Sequence, residues 1–329
     1  MQGKKIVILG TGGTIAGTAQ HATDNIGYAA AQLGVEQLVQ AIPGLANDGE
    51  LVTEQIAQVD SKDMGFQVWA HLAGRVNHFL GRDDVQGIVI THGTDTLEET
   101  AYFLSVACDV YKPLVMTCAM RPATSVQADG PQNLLDAMTV VREHGVSGVM
   151  VVCAGTVHAA RDVQKSHTYQ LNAFSSGDAG PIGYVEEGGV RWIRTKQPGY
   201  ETKRRPAMKK RAQVKPDASW PAVEVVMSYA GARASTVEAL VASGVRGLVV
   251  AGTGNGTVHQ DMELALLDAQ ARGVRVVRAT RCANGCVLPR ADDRFEDSGG
   301  LSPVKARIGL MLDLMNSAPR PTRRQRHGP

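Results

Sequence analysis

Short apolar, β-branched runs punctuate the chain at 6–9 (IVIL), 88–90 (IVI), 114–117 (LVMT), 149–152 (VMVV), 223–227 (VEVVM), 248–250 (LVV) and 274–277 (VRVV). Between most of them lie stretches with apolar residues at helical spacing, such as LEETAYFLSVA (97–107), NLLDAMTVVREHG (133–145) and DMELALLDAQARG (261–273). Alternation of this kind specifies an α/β fold, in which helices cross over between parallel strands. The run GYVEEGGVRW (183–192) instead pairs two short strand patterns about Gly188-Gly189 and predicts a hairpin. Residues 194–218 are rich in charge and proline and have no periodicity, which places an interdomain connection there. The expected organisation is a larger N-terminal domain (1–193) with a mostly parallel sheet flanked by helices, and a smaller C-terminal α/β domain (219–329).

Length agrees with two domains, because 329 residues exceed the usual single core. Hydrophobic residues make up 43% and charged residues 20%, and no apolar run approaches the roughly 18 residues a membrane span needs. The opening MQGKKIVILG passes straight into a strand pattern without a secretory apolar segment, so a cytoplasmic location is expected. The formal charge of +2 is owed to the tail RPTRRQRHGP (320–329), whose four arginines leave 30 basic against 32 acidic residues elsewhere. Neither that tail nor KRRPAMKKR (203–211) is interleaved with aromatics, so no nucleic-acid partner is expected. Cys108, Cys118, Cys153, Cys282 and Cys286 read as buried free thiols, and the C-x3-C pair has no second ligand pair to make a zinc site. No metal or cofactor is expected.

Four strand patterns end in similar chemistry: LGTGGT (9–14), THGTDT (91–96), CAGTV (153–157) and AGTGNGT (251–257). Loops at the carboxyl ends of parallel strands converge on the ligand crevice, so repeated Gly-Thr predicts a site assembled from several loops. The first loop lacks both G-K-[ST] and the G-x-G-x-x-G spacing, which argues against a phosphate cradle. After it, residues 18–28 (TAQHATDNIGY) are small and polar up to a tyrosine, the pattern of a flap over a substrate or of an idle surface loop. Thr96-Leu97-Glu98-Glu99 fits a helix capping box, which accounts for Thr96 and Glu99, and Asp95 suits the positive helix end; one cap needs only one side chain, so Thr94 and Asp95, at the strand end facing the crevice, are explained less well.

The segments TGGTIAG (11–17), ITHGTDTLEETAYFL (90–104), AMRPATSVQADGPQNL (119–134), ARDVQK (160–165) and GTGNG (252–256) resemble the bacterial type II L-asparaginases, of the asparaginase and glutaminase-asparaginase family, over nearly the whole chain. The resemblance implies that Thr14 is a nucleophile that attacks the side-chain amide and forms a β-aspartyl ester. Tyr28 would accept or orient its proton, since a threonine hydroxyl needs a nearby base. Thr94, Asp95 and Lys165 would form a second cluster, the lysine stabilising the threonine oxygen and the aspartate attracting the substrate ammonium. Backbone N–H groups of Thr94 and a neighbouring glycine would stabilise the oxyanion. Ser61, Lys62, Ala119 and Asn255 are the other implied substrate contacts, with Asn255 reaching across a subunit interface of a homotetramer. His92 reads as a structural residue.

Two positions depart from that pattern. Lys62 stands where the better-known relatives carry glutamine, which removes an acceptor for the substrate ammonium and puts a cation near it. Arg290 precedes Ala291-Asp292-Asp293 where relatives place a glutamate, leaving Asp292, Asp293 or Glu296 as substitutes. The expected activity is L-asparagine amidohydrolysis, with a broader glutaminase-asparaginase or an inactive amino-acid sensor as alternatives.

Overall fold

The computed structural model describes residues 4–45, 51–194, 214 and 219–317. The expected connection over 194–218 lies outside the described residues except for Arg194 and Val214, as does the arginine-rich tail. Eight strands form the larger sheet: β1 (Lys5–Gly12), β2 (Leu51–Val59), β3 (Val85–Thr91), β4 (Pro113–Thr117), β5 (Gly148–Cys153), β6 (Thr156–Ala159), β9 (Gly183–Glu186) and β10 (Gly189–Trp192). They are ordered β10-β9-β6-β5-β4-β3-β1-β2. Strands β1 to β5 are parallel, whereas β6, β9 and β10 continue the sheet antiparallel. Between β6 and β9 a two-stranded ribbon, β7 (Gln164–Lys165) with β8 (Phe174–Ser175), stands apart. A second sheet holds β11 (Val223–Met227), β12 (Gly247–Gly252), β13 (Arg275–Thr280) and β14 (Glu296–Asp297), all parallel.

The strand runs read from sequence are therefore present, and β1 and β4 are buried on both faces as continuous apolar runs require. Strand β2 was not legible as a run, because LVTEQIAQV is a polar-rich edge strand with only Ile56 buried. The hairpin forms as expected, but its turn is Glu187-Gly188, with both residues at positive φ (48° and 75°). A two-residue loop needs that geometry to match strand twist. CAGTV, expected among the loops of the site, is another such turn: Ala154 (φ 48°) and Gly155 (φ 68°) join β5 to antiparallel β6.

Alternation along the strands sends residues to opposite faces. Val7, Leu9, Ile88, Ile90, Leu114 and Met116 pack under α2 (Phe66–Leu80) and α3 (Leu97–Ala107). Ile6, Ile8, Val89 and Val115 pack under α1 (Val35–Gln40) and α4 (Gly130–Arg142). The crossover through α1 runs towards the β2 edge, and those through α2, α3 and α4 run the other way. Helices α1, α2 and α3 therefore share one hand, and α4, on the face opposite α3, has the other. Since parallel crossovers are right-handed in about 98% of cases, the β4-α4-β5 connection is the left-handed one. Its long loop, 118–129, must cross the carboxyl end of the sheet to reach that face.

Helices α5 (Ala234–Ala242) and α6 (Gln260–Ala271) cover one side of the small sheet. The last helix, α7 (Pro303–Ser317), lies on the other side and joins the two sheets in one continuous core: its Ile308, Met311 and Leu312 pack in the same cluster as Phe103, Val249 and Val277. Among the cysteines, Cys108, Cys118 and Cys153 are buried as expected, but Cys282 and Cys286 are exposed. These two lie in a Gly- and Asn-containing loop after β13 that buries little apolar surface. No helix among the described residues is long and apolar enough to cross a membrane.

Candidate active site

Strand order reverses beside β1: the chain leaves it for β2 on one side and returns for β3 on the other. The gap outside the carboxyl ends of β1 and β3 is the crevice where open parallel sheets bind ligands. Thr14 follows β1 and Thr94 follows β3, and their loops touch backbone to backbone. A Cβ built on Gly13 would sit 2.2 Å from Gly93 Cα, and one on Gly93 would sit 2.5 Å from Ser61 Oγ. Only glycines allow this approach.

Thr14 opens a single 3-10 turn (Thr14–Ala16) and is 7% exposed. Its Oγ1 lies 2.6 Å from the Tyr28 hydroxyl oxygen. Residues 18–28 are held against loop 118–129. The amides of Ala123 and Val126 donate to the carbonyls of Gly17 and Ala22, the Ala19 amide donates to Thr124 Oγ1, and Ser125 Oγ donates to Asn25 Oδ1 at 2.7 Å. The anchor is the crossing loop 118–129, itself fixed by Asp129, whose carboxylate accepts from the amides of Met120 and Arg121. Ala119 in that loop is fully buried against Ile15 and Ala16.

The second cluster stands across the crevice. Lys165 Nζ donates to Thr94 Oγ1 at 2.8 Å and to Asp95 Oδ1 at 2.6 Å. Ser61 Oγ accepts from the Asp95 amide, and its carbonyl accepts from Thr96 Oγ1 at 2.7 Å. The expected capping box is therefore not formed: Thr96 stands at the start of α3, but its hydroxyl ties that helix to the Ser61 turn instead of covering an amide. Glu99 is largely buried and raised above the usual carboxylate range by desolvation, with Arg307 of α7 pulling it the other way. Long-range partners outcompeted the local motif.

Lys62 points outward, pairing with Asp63 at 2.6 Å and Asp60 at 3.3 Å. Asn255, on the turn after β12, exchanges hydrogen bonds with the backbone of Leu288 in its own chain. The carboxylates considered for the missing glutamate are all engaged: Asp292 with Arg290, Glu296 with Arg275, and Asp293 with Arg278 and the Arg290 amide. Asp293 is held below its usual pKa by the Arg290 amide first and Arg278 second.

His92, beneath the Gly93 contact, is wholly buried; its Nδ1–H donates to the Gly93 carbonyl at 2.7 Å, which fixes the tautomer. Nε2 has no hydrogen-bond partner among the described residues. Desolvation lowers the ring to a pKa of about 4, and the same holds for His158, where burial acts first and the Lys305 charge second. Both are neutral when folded and titrate near 6.5 when unfolded, so the unfolded chain binds more protons between those values. Stability is then expected to be full above pH 6.5 and to fall as pH drops towards 4, by about 2 kcal/mol per histidine at pH 5. Glu98 and Glu99, raised by burial, act in the opposite sense as pH rises above 4.5. Urea unfolding at pH 7 and 5 measures this; His158→Asn should remove about one proton from the slope, and an unaltered slope would refute the assignment.

A parallel α/β chain whose crevice sets a hydroxyl on a phenol opposite a hydroxyl on an ammonium has the groups that acyl transfer to a threonine requires. The asparaginase N-terminal family profile matches residues 5–198, and the glutaminase/asparaginase C-terminal domain profile matches residues 222–326. The chain is 40% identical over 320 residues to L-asparaginase 2 of Escherichia coli (strain K12), covering 94% of this chain and 88% of that protein. It is 37% identical over 317 residues to the glutaminase-asparaginase of Pseudomonas fluorescens biotype A, covering 94% and 86%. The crystal structure of a probable cytoplasmic L-asparaginase from Campylobacter jejuni superimposes with a TM-score of 0.88 at 36% identity, covering 95% of this chain and 96% of that one. The protein belongs to the asparaginase and glutaminase-asparaginase family of amidohydrolases.

Proposed function

We propose that this protein hydrolyses L-asparagine to L-aspartate and ammonia through an ester on Thr14. The carrying observation is the Thr14–Tyr28 contact of 2.6 Å together with the Thr94–Lys165–Asp95 cluster, on loops that meet at Gly13 and Gly93. Thr14 Oγ1 attacks the side-chain carbonyl carbon as its proton is relayed through the Tyr28 hydroxyl, which passes its own proton on towards the amide nitrogen, and the carbonyl π electrons move onto oxygen, stabilised by backbone amides at Thr94 and a neighbouring glycine. Collapse breaks the C–N bond, and the nitrogen leaves as ammonia after taking a proton. Water, positioned by Thr94 and Lys165, then cleaves the ester and returns the proton to Thr14. Asp95, half exposed and accepting from Lys165, attracts the substrate ammonium, and Ser61 lies within reach of the α-carboxylate. Ammonia release from asparagine, with a mass increment of one aspartyl group on the Thr14 peptide, tests the scheme; ammonia without any adduct at Thr14 under rapid quench would overturn the covalent step.

Glutamine as a second substrate is favoured by one observation, the outward Lys62 paired to Asp60 and Asp63 where the common glutamine is lost. Lys62→Gln is expected to shift the ratio of kcat/KM for asparagine over glutamine by up to about 10-fold, within the range that one methylene can control. An unchanged ratio would place Lys62 outside the recognition set. We also place the protein in the cytoplasm, in line with the name of the Campylobacter structure, and in a homotetramer where Asn255 serves a neighbouring site. Sedimentation equilibrium tests the assembly.

A further inference from the structure

Lys165 sits on a two-residue strand, a weak mount for a side chain that must meet two partners. Behind it lies a second lysine. Lys305 of α7 is fully buried, and its ammonium donates to the carbonyl of Arg161 at 2.9 Å and to that of Val163. Its remaining charge faces Glu98 Oε2 at 4.0 Å. The other oxygen of Glu98 accepts from the backbone amide of Lys165 at 3.4 Å. Glu98 stands three residues after Asp95, in the first turn of the helix that presents Thr94 and Asp95.

We propose that Lys305 is a positioning residue for the reaction: reaching from the C-terminal helix, it holds the turn 161–163 and, through Glu98, the backbone of Lys165, so that the Lys165 ammonium stays on Thr94. The inference rests on the role given to Lys165 above.

The physical case is the cost of the arrangement. A buried ammonium is tolerated only with its donors used, and a lysine placed merely to fill space in this apolar core would be worse than methionine. Here both named acceptors are carbonyls of one turn, two and four residues before Lys165. The turn cannot drift without uncovering the charge. Its closure is local, with the amides of Asp162 and Val163 both donating to the Ala159 carbonyl, the Ala160 amide ties its start to Val149 of β5, and Lys305 adds the tie from the C-terminal helix to Arg161 and Val163. Glu98 closes the loop of contacts, because one carboxylate faces Lys305 and binds the Lys165 amide at once. The small sheet and its terminal helix thereby contribute to a crevice that lies wholly on the larger one.

The test is Lys305→Met in the full-length protein, assayed for ammonia release from asparagine. A displacement of about 1 Å at a reacting group costs on the order of 100-fold in rate, so kcat is expected to fall by roughly 10- to 100-fold with KM changed less than about threefold. The double variant Lys305→Met/Glu98→Gln removes the buried charge imbalance, and it is the one to read if the single variant does not fold. It is expected to recover most of the wild-type Tm while kcat stays low. Recovery of kcat together with Tm, or a folded Lys305→Met with wild-type kcat, would overturn the proposal. Lys165→Met assayed alongside separates the two levels: if it keeps turnover, the role of Lys165 fails and the proposal with it. If it loses turnover while Lys305→Met keeps it, only the inference about Lys305 has failed.

Discussion

Thr14→Ala should lower kcat on asparagine by roughly 10⁴-fold or more, the scale at which loss of a covalent nucleophile is felt. Stability should change little. The variant removes one hydroxyl, whose named partner Tyr28 is partly exposed and can turn to water, and one methyl, together worth about 1 to 2 kcal/mol. Binding should persist, since Ser61, Asp95 and Ala119 are untouched. Calorimetric titration of asparagine into the variant, beside an ammonia assay, measures both halves. Turnover near wild type would remove Thr14 from the chemistry and with it the ester intermediate.

Gly13→Ala is expected to damage fold and site together. Gly13 has φ 84° and ψ −170°, a region essentially restricted to glycine, where a side chain adds about 1 to 3 kcal/mol of strain. The added Cβ would also lie 2.2 Å from Gly93 Cα and 2.4 Å from Gly93 N, and neither backbone atom can rotate away. The loops after β1 and β3 must separate, taking Thr14 from Thr94. A loss of about 3 kcal/mol or more in unfolding free energy, with kcat down on the order of 100-fold in the folded fraction, is the expected result. Gly93→Ala differs in its readout, because its Cβ meets Ser61 Oγ at 2.5 Å and Ser61 Cβ at 2.7 Å. That collision displaces the residue assigned to the α-carboxylate, so KM should rise more than in Gly13→Ala. Wild-type Tm in Gly13→Ala would show that the two loops are not in contact.

The repeated Gly-Thr ends illustrate how far pattern reading reaches. All four were visible in the sequence, yet they serve three purposes. LGTGGT and THGTDT meet at the crevice, CAGTV is a hairpin turn, and AGTGNGT holds its own turn through Thr253 and Thr257. What separates them is which strands are neighbours and in which direction each next strand runs, and a dipeptide carries neither. The capping box failed for a related reason. Thr96 had a local use worth about 1 kcal/mol, but the Ser61 carbonyl lay within reach once the chain had folded. Glu98 and Asp129 lie inside the resembling segments but had no role read for them, and Lys305 lies outside those segments, since each acts on backbone groups 8 to 144 residues away.

The sequence by itself determined the α/β class, the strands that lie buried at the centre of each sheet, and the residue types of the crevice, because apolar periodicity and glycine-bearing strand ends are local properties of the chain. It also carried the family resemblance on which the roles of Thr14, Tyr28, Thr94, Asp95 and Lys165 rest. Only the tertiary structure decided that β1 and β3 are neighbours, that an oppositely handed crossover sends loop 118–129 over the flap, that Lys62 turns outward, and that a helix from the far end of the chain holds the mount of Lys165. Each of these depends on contacts between residues distant in sequence, and their geometry is set by strand order and packing rather than by any stretch of amino acids.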